Sequence, residues 1–514
     1  MGLWGRAARS VASVGLAAGL VAGCGGTEPS ASAGTDTIRF VTPYRVKSLD
    51  PVAQGLWAAE WGYGELLMRA TEDGRVEPWL LERLTNSAPT TWTLTLRDGV
   101  TFQNGQPLDA ATLKTVLDRA LRDNALLTAS LPRATTAVAD ARTVTLTTAV
   151  PVANLPNLLA DEQGVMVYDP AAAGPDVDPA ALVGKGIHTG PFRVTVLTAD
   201  EMTLTRNPAY WGGPVALSEA RVRFVPDGQA RVLAVRNNEA DVALYPPTEL
   251  VRQPGSGVTA ATASQPLQHL RAIVNTRTAA MGDEAVRRAF AMGIDYRQIA
   301  EDVLDGLYTT PTGLYPPVVG YGVETQRTDA AEAGRVLDAA GWRTGEGGVR
   351  AKSGRPLTVT VLTYPQQPDT KTIAVAMQAQ LKPVGFDVRI TEVDSNYEAM
   401  KKSDGWDVGL SFDGTLGYTY DPVAPLRDFL TTSGVRNFGG ISDPELDRLV
   451  VQLGTAIDDS ARTPLLVRAQ ELIAQRGYTI IVAQRAAKAI VGPAFAGYRP
   501  SSVLHHLTAR TAAG

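Results

Sequence analysis

Apolar and polar residues alternate at 37–41 (Thr-Ile-Arg-Phe-Val), which predicts a first strand that ends at Thr42-Pro43 and opens into a loop over 44–51. The same period of two at 91–96 and 143–147 predicts half-buried strands. Between them the period changes to that of a helix. Asp109 stands as N-cap, and Leu113, Val116, Leu117, Ala120 and Leu121 fall on one face. Further along, 284–292 reads as helical, followed by a helix with Asp295 as N-cap and Gln298 as its N3 partner, stopping near Gly306. Asp329 caps a helix that Gly341 ends. A helix at 370–381, a strand at 386–393 and a strand at 406–412 follow, the last running into a loop over 413–422. Ser442 and Glu445 form a capping box for a helix over 444–453. A final helix over 460–476 stops at Gly477, before a strand at 479–482. Strands and helices alternate without a repeat period, which predicts a mixed α/β fold and excludes solenoids and propellers.

The length of 514 residues suits two or three lobes, and 44% hydrophobic with 20% charged residues is ordinary globular composition. A net charge of −5 without a Lys/Arg-rich block excludes nucleic acid as a partner. The single cysteine, Cys24, excludes an internal disulfide and any multi-cysteine zinc site. Its position is more telling. Arg6 and Arg9 precede an apolar run at 11–22 that is too short to span a bilayer, and the run ends in Val21-Ala22-Gly23-Cys24. This resembles the bacterial lipobox. It implies a signal peptide at 1–23, lipidation of Cys24 and anchorage of the mature chain to the outer face of the cell membrane. The small, polar stretch at 24–36 reads as a flexible tether.

The ordered set of motifs is specific. It begins with Leu49-Asp50-Pro51 and Asp73-Gly74-Arg75-Val76-Glu77-Pro78-Trp79-Leu80. The run from Trp92 through Arg97-Asp98-Gly99 and Phe102-Gln103-Asn104-Gly105 to Asp109 is the clearest stretch. Thr189-Gly190-Pro191-Phe192, Arg206-Asn207-Pro208-Ala209-Tyr210-Trp211, Asn238-Glu239-Ala240-Asp241, Asn275-Thr276, Ala285-Val286-Arg287-Arg288-Ala289-Phe290 and Leu337-Asp338-Ala339-Ala340-Gly341-Trp342 follow. Together they resemble the peptide/nickel-binding group of ABC transporter solute-binding proteins, family 5. Most of these residues read as turns, caps and loop shapers, reporting fold rather than ligand. The resemblance implies a periplasmic-binding-protein-like two-lobed fold (type II, cluster C). Lobe I would comprise 37–75, 190–269 and 481–514, with an inserted subdomain at 76–189, and lobe II would comprise 270–480. A ligand held between the lobes shifts a hinge equilibrium towards the closed form, and no bond is broken.

For the ligand the resemblance offers an oligopeptide, a nickel chelate or an opine-like molecule, delivered by a monomer to ABC permease and ATPase subunits without a cofactor. Peptide binders of the family anchor an ammonium with an aspartate four residues before the proline of an acidic-Pro pair. Here that position is Tyr418, and the nearest upstream acid is Asp413. The nickel branch has Trp-Gly-x-x-Tyr-Asp-Pro. Gly417, Tyr420, Asp421 and Pro422 match it, Leu416 replaces the tryptophan, and 423–440 holds no histidine. The branch's chelator-binding arginine aligns with Gln163. Tyr420 is the leading pocket residue, able to stack and to hydrogen-bond. Trp57 and Trp61 either line the cleft or pack into the core of lobe I. Arg485 either meets a ligand carboxylate or is a surface charge. His505-His506 reads as an exposed tail pair. Two other functions compete. A sensory lipoprotein on the same fold has the same sequence pattern, whereas an exported hydrolase finds no Gly-x-Ser-x-Gly, Ser-x-x-Lys or His-Glu-x-x-His motif.

Overall fold

A computed structural model of the chain describes residues 36–174, 179–414, 420–457 and 459–513. The expected signal segment, Cys24 and all of the tether but Asp36 lie outside the described residues, as does Tyr418. Among the described residues no helix is long and apolar enough to cross a membrane.

Three large sheets organise the chain. The first has the strand order Thr259–Thr262, Lys488–Val491, Val242–Leu244, Thr37–Thr42, Glu219–Phe224, Glu201–Arg206, Phe192–Leu197. Its centre, Thr37–Thr42, runs parallel to both neighbours. The alternation there works as expected: Ile38 and Phe40 are buried, while Arg39 between them reaches Asp241 through two hydrogen bonds, of 3.0 and 2.8 Å. The Asn238-to-Asp241 motif thus pins the turn after helix Gly228–Arg236 to the central strand. The second sheet has the order Asp387–Glu392, Thr358–Thr363, Val408–Gly414, Gln268–Val274, Thr479–Arg485. Its strand Gln268–Val274 is buried on both faces. Leu270, Ala272 and Val274 feed one apolar core and Ile273 feeds another, while His269 and Arg271 are buried polar residues within the same strand. The third is an antiparallel sheet ordered Leu81–Ala88, Thr91–Leu96, Thr143–Thr147, Thr135–Asp140. Helix Ala110–Asp123 packs on it through Leu113, Val116, Leu117 and Ala120, with Asp109 accepting from the Thr112 amide. One core serves both the first and the third sheet.

The chain crosses between the first two sheets twice, after Thr262 and after Arg485, and the crossings lie side by side. The Ala263 amide bonds the Ala487 carbonyl at 2.8 Å, and Gln268 pairs with Arg485. Strand Thr479–Arg485 belongs whole to the second sheet.

The motifs that suggested turns and packing have those roles. Gly105 adopts φ +86° in the turn after Asn104. Gly190 has no room for a side chain: a Cβ there would lie 2.5 Å from the Gly62 carbonyl. Trp79, Tyr210 and Trp211, from two distant motifs, converge on buried Glu65, donating to it at 2.9, 2.6 and 2.7 Å. One detail differs from the expected capping box. Helix Pro444–Thr455 is capped by Asp443, which accepts from the Glu445 and Leu446 amides, and not by Ser442. Proline at the first helical position fixes the cap as the residue immediately before it.

Candidate functional site

Parallel strands leave their carboxyl ends open, and in α/β sheets ligands collect outside those ends. Here both principal sheets do so at one place. Tyr44 follows strand Thr37–Thr42, and Tyr245 follows Val242–Leu244. Gln367 lies just beyond Thr358–Thr363, and Phe412, Asp413 and Gly414 end Val408–Gly414. These residues, with Trp57, Glu60, Tyr420, Arg485, Ser502 and Leu504, line a cavity of about 200 Å³. A second chamber of about 430 Å³ shares Tyr44, Tyr245, Gln268, Gln367 and Arg485 with the first.

Short helix Gly55–Glu60 supplies Trp57 and Glu60, three residues apart and therefore on one face. The Trp57 indole is tied by its N–H to Gln54 at 3.1 Å and lies near Tyr44, whose ring meets Tyr245 edge-on at 5.0 Å. Trp61, by contrast, is 1% exposed and packs edge-on against Phe40, so it belongs to the core. Tyr420 adopts φ +53°. Its ring packs beside Leu267 and Val503, and its hydroxyl donates to the Val503 carbonyl at 3.1 Å. Its neighbour Asp421, 0% exposed, accepts from Asn154 at 2.8 Å and pairs with Arg462. Asn157 bonds the Tyr420 carbonyl at 3.0 Å. The Tyr-Asp-Pro segment therefore also ties the 154–157 segment to helix Asp459–Arg476.

Arg485 is held in place. Its guanidinium stacks on Phe412 at 3.9 Å and bonds Gln268, the Tyr308 hydroxyl and Gln367 at 3.0, 3.0 and 3.2 Å. Its nearest acid, Asp369, is 4.0 Å away. It is thus a cavity residue and not a surface charge, with mostly neutral partners. Asp413 accepts from the Tyr397 hydroxyl at 2.6 Å, with the buried Arg271 guanidinium 3.9 Å from its other oxygen. Burial and the Asp413 charge raise the Tyr397 hydroxyl above its ordinary range.

Gln163 is not among the cavity residues. Its amide bonds Asp161 and its carbonyl receives Asn124, making it part of a turn. Its neighbour Glu162 is the buried group there. The expected exposed histidine pair is corrected too. His506 is 3% exposed and faces Glu60 at 3.7 Å, and His505 pairs with Glu162 at 3.2 Å. The tail folds back because the His506 and Leu507 amides both bond the Glu60 carbonyl. Among the described residues no group of three or more His, Cys, Asp or Glu is arranged to hold a metal ion. Tyr44, Glu60, Tyr245, Gln268, Gln367 and Phe412 were not singled out in the sequence. Position directly after a parallel strand is the signal that would have found Tyr44 and Tyr245.

A cavity between two α/β sheets joined by paired crossings, with polar and aromatic groups on both sides, defines a solute-binding protein. The family model for bacterial extracellular solute-binding proteins, family 5, matches residues 75–437, and the chain belongs to that family. It is 27% identical to the nickel-binding periplasmic protein of Escherichia coli K12 over 461 residues, covering 84% of this chain and 86% of that one. It is also 27% identical to the oligopeptide-binding protein OppA of Mycobacterium tuberculosis H37Rv over 421 residues, or 78% and 70% of the two chains. The structure of NikA from Brucella suis in complex with Fe(III)-EDTA superposes with a TM-score of 0.81 at 23% identity, covering 93% of this chain and 100% of that one. The chain is therefore an extracytoplasmic solute-binding protein. Capture and release, not catalysis, is the chemistry of its family.

Proposed function

We propose that the protein captures an oligopeptide, nickel chelate or opine-like molecule in this cavity, by closing two lobes over it, and delivers it to an ABC permease and its ATPase. The cavity carries the reading: its walls come from both sheets, so a solute inside contacts both and favours the closed form. Lobe I is built on the first sheet with the inserted subdomain at 76–189, and lobe II on the second. The adjacent crossings near 263–268 and 485–487 act as the hinge. Trp57, Tyr420, Asp413 and Arg485 contact the solute. Tyr418, in the same loop as Tyr420, is a further contact. Arg485 receives an anionic group, since its hydrogen-bond partners are neutral and its nearest acid, Asp369, stands at the 4.0 Å limit of an ion pair. Cys24 carries the lipid anchor.

Native mass spectrometry of the protein purified from its own host tests capture, with one retained small solute expected per chain. Trp57→Ala should weaken that solute's affinity about tenfold to a hundredfold, given the area and stacking an aromatic wall contributes. Unchanged affinity would remove Trp57 from the site. Metabolic labelling with palmitate should mark the wild-type chain and not Cys24→Ala; equal labelling of both would refute the anchor.

A further inference from the structure

One carboxylate on the cavity wall, Glu60, has no cation beside it, and a second, Glu162, lies behind it with only the His505 imidazole as partner. Glu60 lines the cavity, is 3% exposed and has as its nearest basic group the His506 imidazole, 3.7 Å away. That imidazole is held neutral: burial, reinforced by His505, pushes it down to about 3. Glu162 lies beside the same helix, its carbonyl 3.2 Å from where a Cβ on Gly55 would stand. It is 1% exposed, with His505 at 3.2 Å as its partner. Burial, and then the charge of Glu162, push the Glu60 carboxyl well above its usual range. Asp413, on the facing wall, is different because Arg271 stands behind it. An uncompensated buried carboxylate is costly, and proteins retain such groups where a ligand supplies the missing charge.

Resting on the capture reading, we propose that Glu60, backed by Glu162, forms a cation subsite that receives an ammonium or guanidinium group of the solute. Trp57, Tyr44 and Tyr245 line the same cavity as Glu60 and pack against one another, aromatic groups suited to an organic cation. Arg485 lies on the same cavity and takes the anionic end. The solute is therefore zwitterionic, with an amino or guanidino group directed at helix Gly55–Glu60. In the empty site a proton substitutes for the cation on Glu60, so binding expels it, and affinity rises with pH through the Glu60 titration. The titratable and charged groups facing this titration are Glu162, His505, His506, Tyr44, Tyr63, Tyr245, Asp413 and Arg485.

The test uses the full chain and a charge-matched panel read by thermal shift and calorimetry: lysyl-alanine and arginyl-alanine, their fully N-acylated counterparts, and Ni(II)-EDTA as an anionic chelate. The cationic members should raise Tm, acylation should weaken binding at least tenfold, and binding should release protons, detected by a buffer-dependent heat. Glu60→Gln should cut affinity for the cationic members at least tenfold while the unliganded variant melts no lower than wild type. That pairing separates a binding role from a structural one. A Glu60→Gln protein that melts lower and binds the cations unchanged would overturn the proposal. So would binding of the acylated or anionic members alone, which leaves the capture reading standing. If no panel member binds and the host-purified protein carries no solute, both fail together.

Discussion

Burial pushes the Asp161 carboxyl from its ordinary 3.8 up to about 7, against the opposing hydrogen bond from the Gln163 amide. The sign of its effect on stability follows from linkage. The folded state binds this proton more tightly than the unfolded chain, so Asp161 destabilises the fold progressively as pH rises from about 4 to about 7, by up to about 4 kcal/mol. Asn in its place keeps the acceptor oxygen and removes the titration. The Tm difference between Asp161→Asn and wild type should therefore grow in favour of the variant from pH 4 to 7 and level off above. A difference constant with pH would refute the assignment. Single residues were the least legible part of the site. Trp57 and Trp61 look alike in sequence, but the helix ends between them. Trp57 keeps the face it shares with Glu60, while Trp61, the C-cap, turns into the core beside Phe40. Glu60 and Glu162 carry no sequence mark, because their meaning depends on a C-terminal tail that folds back from more than 300 residues away.

Elements were more legible, since they depend on local period and capping. The strands at 91–96 and 143–147 and the helix at 284–292 occur where the pattern placed them. Misplacement by two residues still mattered. The strand expected at 406–412 runs as Val408–Gly414, because Trp406 is held before it by its indole N–H to the Lys402 carbonyl. That shift carries Asp413 from a loop onto a strand end, in register with His269, and so onto the cavity wall. The helix expected from Asp295 to about Gly306 changes character: Asp295 caps it by accepting from the Gln298 amide, and a π turn over Ile299–Val303 follows. The Gln298 side chain receives Gln380 at 2.8 Å, leaving the expected box half formed. At helix Pro444–Thr455 the cap yields a clean comparison. Asp443→Ala should cost about 1–2 kcal/mol in urea unfolding, and Ser442→Ala within about 0.5 kcal/mol of nothing. Equal costs would restore Ser442 as the cap.

Across the whole molecule, several contacts join the first and third sheets and the tail to the second-sheet half, the Asn157–Tyr420 bond among them, and four others bear comparison. Thr248 donates to Asp369 at 2.6 Å, Arg252 pairs with Asp305 at 2.5 Å, Asn154 donates to Asp421 at 2.8 Å and Tyr420 donates to Val503 at 3.1 Å. They differ in worth. Arg252 and Asp305 are each about 40% exposed, and a pair so solvated contributes under about 1 kcal/mol. The Asn154–Asp421 bond is buried and charge-assisted, and is worth about 1.5–3 kcal/mol. If closure forms this bond, its loss acts on the closed state alone. Apparent affinity scales with the fraction of chains able to close, so a penalty of about 1.5 kcal/mol weakens binding roughly tenfold. Asn154→Ala should then increase the radius of gyration of the unliganded protein in solution scattering, weaken the solute about tenfold, and act mainly through faster release. Arg252→Ala should change affinity less than threefold. The contrasting outcome is equally definite. If the 154–157 segment stays on Asp421 in the open form too, Asn154→Ala will lower Tm and leave both the radius and the affinity unchanged. The Tyr-Asp-Pro segment would then be a fixed joint, and closure would depend on the contacts of Tyr420 and Thr248.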